Sequence, residues 1–413
     1  MTDPVQDDRT VTTSHARLVE RASVAVFVVF FLNGFNFATW AARLPAIRDG
    51  LGFSPAQMGA LLLIGAVGSL LSLPLAGMVV EKLGARRTVF AFAVLNATGL
   101  VVASVGVALG QVVVVGLGLV LFGVGTGVWD AAMNLEGAAV EQHLGRTIMP
   151  RYHAGFSFGT VAAAGLAAAM AALHVPVVVH IPVVVFASVV VVGIVVRRFL
   201  PPADEAAVAH EDAPEKGARG ALAAWVEPRT LLIGLIVLAA ALTEGSANDW
   251  VSLAVVDGFN TAEALGALAF GVFVAAMTAM RWFGGTLLDR RGRVVVLRLC
   301  AALSLVGLLV FALAGPLWLA LVGVVAWGTG AAFGFPVGLS AAADDPARAP
   351  ARVSVVATIG YSAFLAGPPL IGLLAQHVGY RHALLVVIAP IALGLSVVGA
   401  AAPLRVGADT AQD

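Results

Sequence analysis

Long apolar runs constrain this chain most. Twelve of them follow one another, at residues 22–42, 55–80, 88–109, 112–139, 152–173, 176–196, 230–255, 262–288, 294–314, 317–341, 353–375 and 382–402. A helix that crosses a bilayer needs about 20 largely apolar residues. Several runs are rich in Val, which suits strands, but strands in soluble sheets are far shorter, so length decides for helix. An outer-membrane barrel would show short alternating segments instead. Composition agrees: the 413 residues are 60% hydrophobic and 12% charged, with a mean hydropathy of +0.96. A soluble domain carries about 25% charged residues. The chain is therefore predicted to be an all-α integral membrane protein with twelve transmembrane helices and the lipid bilayer as solvent. The first 20 residues are polar, and no cleavable leader follows them, so the first span is expected to stay in the protein.

Orientation follows from the basic residues. With the N-terminus in the cytoplasm, the cytoplasmic segments hold twenty of the 24 Lys and Arg, and the outer loops hold only Arg43, Arg48 and Arg381. Arg281 lies within a span. Both termini are thus predicted to face the cytoplasm, with the protein in the cytoplasmic (inner) membrane. The net charge of zero reflects sorting by side, and no nucleic-acid partner is expected. Cys300, the single cysteine, sits inside the ninth span and reads as apolar filler. No Cys/His spacing suggests a metal, and no cofactor is expected.

The stretch FLPPADEAAVAHEDAPEKGARGALAAWVEP (199–228) is the only long polar interior segment and reads as a cytoplasmic linker. It divides a tail (1–21) and a six-helix bundle (22–198) from a second six-helix bundle (229–403) and a short tail (404–413). The halves resemble each other. GMVVEKLGARR (77–87) matches GTLLDRRGRVV (285–295), SPAQMGAL (54–61) matches TAEALGAL (261–268), and Trp40 matches Trp250. GTG recurs at 125–127 and 328–330, and HAGFS (153–157) matches TIGYS (358–362). The offsets stay between 203 and 210, which argues for a duplicated unit. Duplicated bundles with a site between them are characteristic of secondary transporters.

In both copies a glycine is followed by an acid four residues on, a basic residue next to it, and a second glycine two residues later. This loop, after the second and eighth spans, resembles the signature loop of the major facilitator superfamily. The resemblance covers about residues 20–405. It implies the major facilitator fold, with two pseudo-symmetric six-helix bundles. The phrases FNFATWAARLPAIRDGLGFS (35–54), GVWDAAMNLEGAAVE (127–141), RYHAGFSFG (151–159), EGSANDW (244–250) and GYSAFLAGPPLIG (360–372) are similar to the MosC-like branch of that superfamily. That branch implies a sugar- or cyclitol-like solute. Drug/proton antiporters of the superfamily carry Gly-Pro in the fifth span. Here the fifth span is FSFGTVAAAGLAAAM, and Gly-Pro-Pro stands in the eleventh, which speaks against a multidrug antiporter.

Polar residues inside spans are costly and mark sites. Asn33, Asn36 and Trp40 share one face of the first span. They read as a substrate face, or as helix–helix hydrogen bonding for the Asn pair and an interfacial belt for Trp40. Thr126, Asp130 and Asn134 share a face of the fourth span. Asp130 reads as a proton or substrate site, or as half of an ion pair with Arg281. Glu136 and Glu141 read as loop anchors. In the seventh span Glu244 and Asn248 are one turn apart and are expected to face the first-span Asn pair. Asp249 is a further candidate, or a partner for Arg43 at the outer gate. His153, His174 and His180 are expected near span ends, within reach of water. In the motif loops, Glu81 and Asp289 are expected to latch the starts of the eleventh and fifth spans, with Lys82, Arg86, Arg290 and Arg293 tying the loops down.

The predicted function is secondary active transport of a small polar solute by alternating access, coupled to protons, by a monomer. The alternatives are export of a metabolite or drug with the same fold, or a membrane sensor that has lost transport. No hydrolytic or phosphate-binding motif is present, and no enzyme activity is expected.

Overall fold

A computed structural model describes residues 4–145, 148–201, 224–345 and 348–404. Most of the expected linker lies outside these residues, as do Arg146, Lys216, Arg219 and Arg405. Everything described is helix, turn or connecting coil. The helices are α1 (Pro4–Ala41), α2 (Leu44–Leu51), α3 (Pro55–Leu83), α4 (Ala85–Ala108), α5 (Val112–Leu144), α6 (Met149–Ala172) and α7 (Val177–Val195). They are followed by α8 (Pro228–Phe259), α9 (Glu263–Phe283), α10 (Gly285–Arg291), α11 (Arg293–Leu313), α12 (Leu317–Ala331), α13 (Gly334–Ala342), α14 (Ala349–Ala383) and α15 (Ile388–Val397).

Among the described residues, eleven helical segments are long and apolar enough to cross a membrane. The last of them runs from Ala351 to Ala401 over 51 residues, enough for two spans. It turns at Gly379, whose φ of 76° and ψ of 160° interrupt α14. This accounts for the expected twelve. The eighth predicted span divides into α9 and α10 at Gly284, and the tenth divides into α12 and α13. In the expected N-terminal tail, α1 already begins at Pro4.

Local chemistry starts the helices. The Ser54 hydroxyl accepts from the Gln57 backbone N–H while the Gln57 side chain accepts from the Ser54 N–H, a reciprocal cap, and Pro55 supplies the first helical φ. Pro176 and Pro316 stand at the N-caps of α7 and α12. The repeated motif loops turn on Gly84 (φ 76°, ψ 154°) and Gly292 (φ 75°, ψ 155°). That region is essentially closed to residues with a Cβ, so the duplicated glycine reflects one duplicated turn.

Close contacts separate the chain into two compact units. One comprises Met1–Ala213 and Ser252–Ala275, the other Pro214–Val251 and Ala276–Asp413. In the first unit α1 packs on α6, α4 and α3 on α5, and α7 on α4. Val26, Phe30, Trp129, Met133, Tyr152 and Val192 belong to its core. In the second unit α11 packs on α12 and α15, and α13 on α14. Glycine allows the same close crossing in each. A Cβ on Gly99 would strike the Phe122 backbone across the α4–α5 crossing, and one on Gly307 would strike the Trp327 backbone across α11–α12. Such approach of backbones is how membrane helices gain packing energy.

Candidate functional site

In the first unit, Asn33 and Asn36 on α1 are 3% and 0% exposed. The Asn36 amide donates to Asn96 Oδ1 at 3.1 Å, and the Asn96 amide donates to Thr126 Oγ1 at 2.9 Å. Thr126 donates in turn to the Phe122 carbonyl at 2.8 Å. This chain ties α1, α4 and α5 together, the helix–helix role open to an intramembrane Asn. Its middle member, Asn96, was not among the expected site residues. It also turns Thr126 toward α4 rather than toward joint work with Asp130. Two atoms of the pair are left over: Asn33 Nδ2 and Asn36 Oδ1 are buried without a protein hydrogen-bond partner. One donor and one acceptor are thus available in the interior. Trp40 is buried, at 4% exposure, so its ring is not part of an interfacial belt.

Asp130 on α5 is partly buried. Asn134 donates to its backbone carbonyl at 2.8 Å, not to its carboxylate. Among the described residues no ion pair involves Asp130. The expected alternative partner, Arg281, pairs instead with Glu244 at 2.8 Å and donates from Nε to the Ala332 carbonyl at 2.9 Å. Glu136 and Glu141 anchor backbone: Glu136 accepts from the Leu200 N–H at 2.8 Å, and Glu141 accepts from the Ile148 and Met149 N–H groups at 2.6 and 2.7 Å. Glu141 thereby satisfies the start of α6, where negative charge is favoured.

In the second unit Glu244 is neutralised by Arg281. Asn248 and Asp249 are partly buried. Asp249 lines a small cavity with Ser246, Trp250, Phe364 and Pro368. Ser246 Oγ and Trp250 Nε1 beside it are buried and have no protein partner. The Trp250 indole packs against Tyr380 with ring centroids 5.5 Å apart. The face expected to unite Glu244 and Asn248 with the first-span Asn pair draws on residues of both units.

The expected Arg43–Asp249 pair is not formed. Arg43, 2% exposed, donates from Nε to Glu263 at 2.5 Å and from Nη2 to the Val175 carbonyl at 2.9 Å. Its Nη1 lies 3.3 Å from His180 Nδ1. His180 is itself 3% exposed, so the expectation that water reaches it is corrected. Arg48 pairs with Asp257 at 2.5 Å and with Asp49 at 2.7 Å. Glu263 and Asp257 carry no local sequence signal, because their partners lie over 200 residues away.

In the motif loops Glu81, Lys82, Arg86, Asp289 and Arg290 are exposed, and no ion pair involves them among the described residues. Arg293 differs: both of its terminal nitrogens donate to Asp344, which also accepts from Arg229 at 2.8 Å. Burial alone would raise the Asp344 carboxyl, but the hydrogen bonds from Arg293 and Arg229 outweigh it and hold the group below its ordinary range. Glu227 is held low chiefly by the hydrogen bond from Arg352, 2.6 Å away.

Comparison with known proteins agrees with this architecture. The family model of the Major Facilitator Superfamily matches residues 26–362 and 250–411. The chain is 33% identical over 374 residues to the uncharacterized transporter y4wD of Sinorhizobium fredii, covering 88% of this chain and 96% of that one. It is 28% identical over 369 residues to the membrane protein MosC of Rhizobium meliloti, covering 88% and 86%. Among solved structures it is similar to the nucleoside transporter NupG (TM-score 0.70, 16% identity, 93% of this chain and 98% of that one). It is also similar to FucP in the outward conformation (TM-score 0.61, 14% identity, 92% and 99%). These last two likenesses show the fold. With its repeated motif loops, its duplicated glycine crossings and a family match along most of its length, the chain belongs to the major facilitator superfamily and is a multi-pass membrane transporter by fold rather than an enzyme.

Proposed function

We propose that this protein is a secondary active transporter that moves a small, hydroxyl-rich polar solute across the cytoplasmic membrane by alternating access, coupled to protons. The observation that carries this reading is the uneven neutralisation of its intramembrane acids. Glu244 has Arg281, whereas Asp130 and Asp249 have no cation among the described residues. A carboxylate inside a span is costly and is kept where it does work, and carrying a proton is such work. Asp130 and Asp249 are therefore assigned the coupling role, and Glu244–Arg281 is a pair that breaks and reforms as the site changes. The solute is assigned to Asn33, Asn36, Trp40, Asn134 and Asn248, where amides and an indole suit hydroxyl groups. The similar folds of a nucleoside transporter and of a fucose:proton symporter support a polar, ring-shaped solute. Glu81 and Asp289, exposed here, are assigned to gating.

The test uses purified protein in proteoliposomes with an imposed pH gradient, screened against nucleosides, sugars and cyclitols. The parent accumulates one class, and a protonophore abolishes accumulation. Asp130→Asn or Asp249→Asn loses gradient-driven accumulation by tenfold or more yet retains solute counterflow. Accumulation that survives the protonophore and both substitutions overturns the coupling assignment. Failure of every polar solute overturns the substrate class.

A further inference from the structure

We infer that the first unit carries a binding site for an anionic phospholipid headgroup in the groove between the start of α4 and the end of α7. The groove holds about 430 Å³, within the ~300–1,000 Å³ range of small-molecule sites. Arg86, Arg87 and Arg197 line it together with Phe90, Val190 and Ile194. All three arginines are exposed, and none takes part in an ion pair among the described residues. The apolar wall is exposed as well, with Phe90 at 41%, Val190 at 46% and Ile194 at 54%. Gly193 keeps the floor open, since a Cβ there would lie 3.0 Å from the Phe90 ring.

The repeat sets Arg86 and Arg87 apart from their second-half counterparts. In the second copy, Gly292 is followed by Arg293, Val294 and Val295, and Arg293 is spent on Asp344. In the first copy, Gly84 is followed by Ala85, Arg86 and Arg87. The acid matching Asp344, at the offset of 203 shared by GTG, is Glu141, and two backbone N–H groups satisfy it. Among the described residues no acid claims Arg86 or Arg87. Three free guanidinia above an apolar wall, at the end of two membrane spans, complement one occupant: a phosphate diester in the plane of the headgroups with its acyl chain lying along Phe90 and Ile194. Basic pockets between transmembrane helices bind such headgroups, and guanidinium groups match phosphate geometry. A free anion gains nothing from the apolar wall, so the occupant is the lipid of the adjoining leaflet.

The experiment takes the full-length protein in neutral detergent and follows its melting while phosphatidylglycerol, phosphatidylcholine or inorganic phosphate is added. Lipid retained by the folded protein is counted by native mass spectrometry. Phosphatidylglycerol is expected to raise the melting temperature and to remain bound, unlike the other two. Each arginine near an anionic headgroup contributes about fivefold. The Arg86→Gln/Arg87→Gln/Arg197→Gln variant is then expected to bind about a hundredfold more weakly, with unchanged melting when no lipid is added. If that variant fails to fold, Arg197→Gln alone is expected to show the fivefold loss. Gly193→Phe keeps every charge but fills the groove, and is expected to weaken retention of phosphatidylglycerol. Arg290→Gln/Arg291→Gln removes comparable charge from an exposed loop and is expected to leave it intact. Equal stabilisation by phosphatidylcholine or by phosphate overturns the proposal. So does an equal loss of binding in the loop variant and the groove variant.

Discussion

Asn96 shows what a single polar residue does in a lipid-facing fold. It lies in the largely apolar run TVFAFAVLNATGLVV, with no polar neighbour three or four residues away, so periodicity gave no reason to select it. In the structure it accepts from Asn36 and donates to Thr126, and so links three helices. An interhelical hydrogen bond in a membrane is worth about 1–2 kcal/mol in model peptides. Asn96→Leu keeps the volume and removes both bonds, leaving the Asn36 amide unpaired. It is expected to cost about 1–2 kcal/mol in denaturant unfolding of the purified protein, and Asn36→Leu on top of it is expected to add little. Additive losses would show that the two residues act separately. The Asn pair on α1, Trp40 and the intramembrane acids were legible in the sequence, because polarity inside a span is conspicuous. The partners were not. Arg43 to Glu263 spans 220 residues of sequence and Arg281 to Glu244 spans 37, and only the packing of the helices selects among the candidate acids.

At the scale of an element, the two motif loops share a backbone and differ in what they hold. The duplication, the glycines and the number of spans were readable because each repeats in the sequence. The role of Arg293 needed the structure, since Asp344 lies in the short connection between α13 and α14, a segment without motif or periodicity. Asp344 receives Arg293 from α11 and Arg229 from α8, so one carboxylate fastens three chain segments. Its pKa is depressed in the folded protein. The stabilisation it brings is therefore complete above the ordinary carboxylate range near 4 and is lost as pH falls through the lower folded value. Asp344→Asn should accordingly melt earlier than the parent at pH 7, by about 1–3 kcal/mol for hydrogen bonds to charged groups. The difference should shrink as the medium is acidified through the depressed folded value, below which the parent carboxyl is protonated too. A deficit independent of pH would mean that the side chain acts by packing, not by charge.

For the whole molecule the informative contacts are the ion pairs made by Arg43 and by Arg48 of α2. Residues 252–275 belong to the second sequence half, yet they cluster with the unit built on the first. Two ion pairs hold them there: Arg43 with Glu263, and Arg48 with Asp257. They differ in kind. Arg43 and Glu263 have side chains 3% and 24% exposed, and Arg43 is further held by the Val175 carbonyl. Asp257 is 41% exposed, so water and salt screen its pair. If the proposed alternating access holds, residues 252–275 part from Arg43 and α2 as the side bearing α2 opens, and both pairs then break. A hydrogen bond to a charged group contributes about 1.5–3 kcal/mol, and an exposed pair about 0–1 kcal/mol. At about 1.4 kcal/mol per tenfold change, Glu263→Gln should shift the balance toward opening on this side by roughly ten- to a hundredfold, and Asp257→Asn by about fivefold at most. The assay replaces the lone Cys300 with Ser and places a reporter cysteine at Asn248, within the seventh span. A membrane-impermeant maleimide applied from the side of α2 should label Glu263→Gln faster than Asp257→Asn, and both faster than the parent. High salt should raise the parent toward the Asp257→Asn rate but not toward that of Glu263→Gln. The Arg43→Glu/Glu263→Arg exchange should bring labelling back toward the parent rate. Equal labelling of parent and both single variants, with normal membrane insertion, would show that these pairs fix the loops and do not gate.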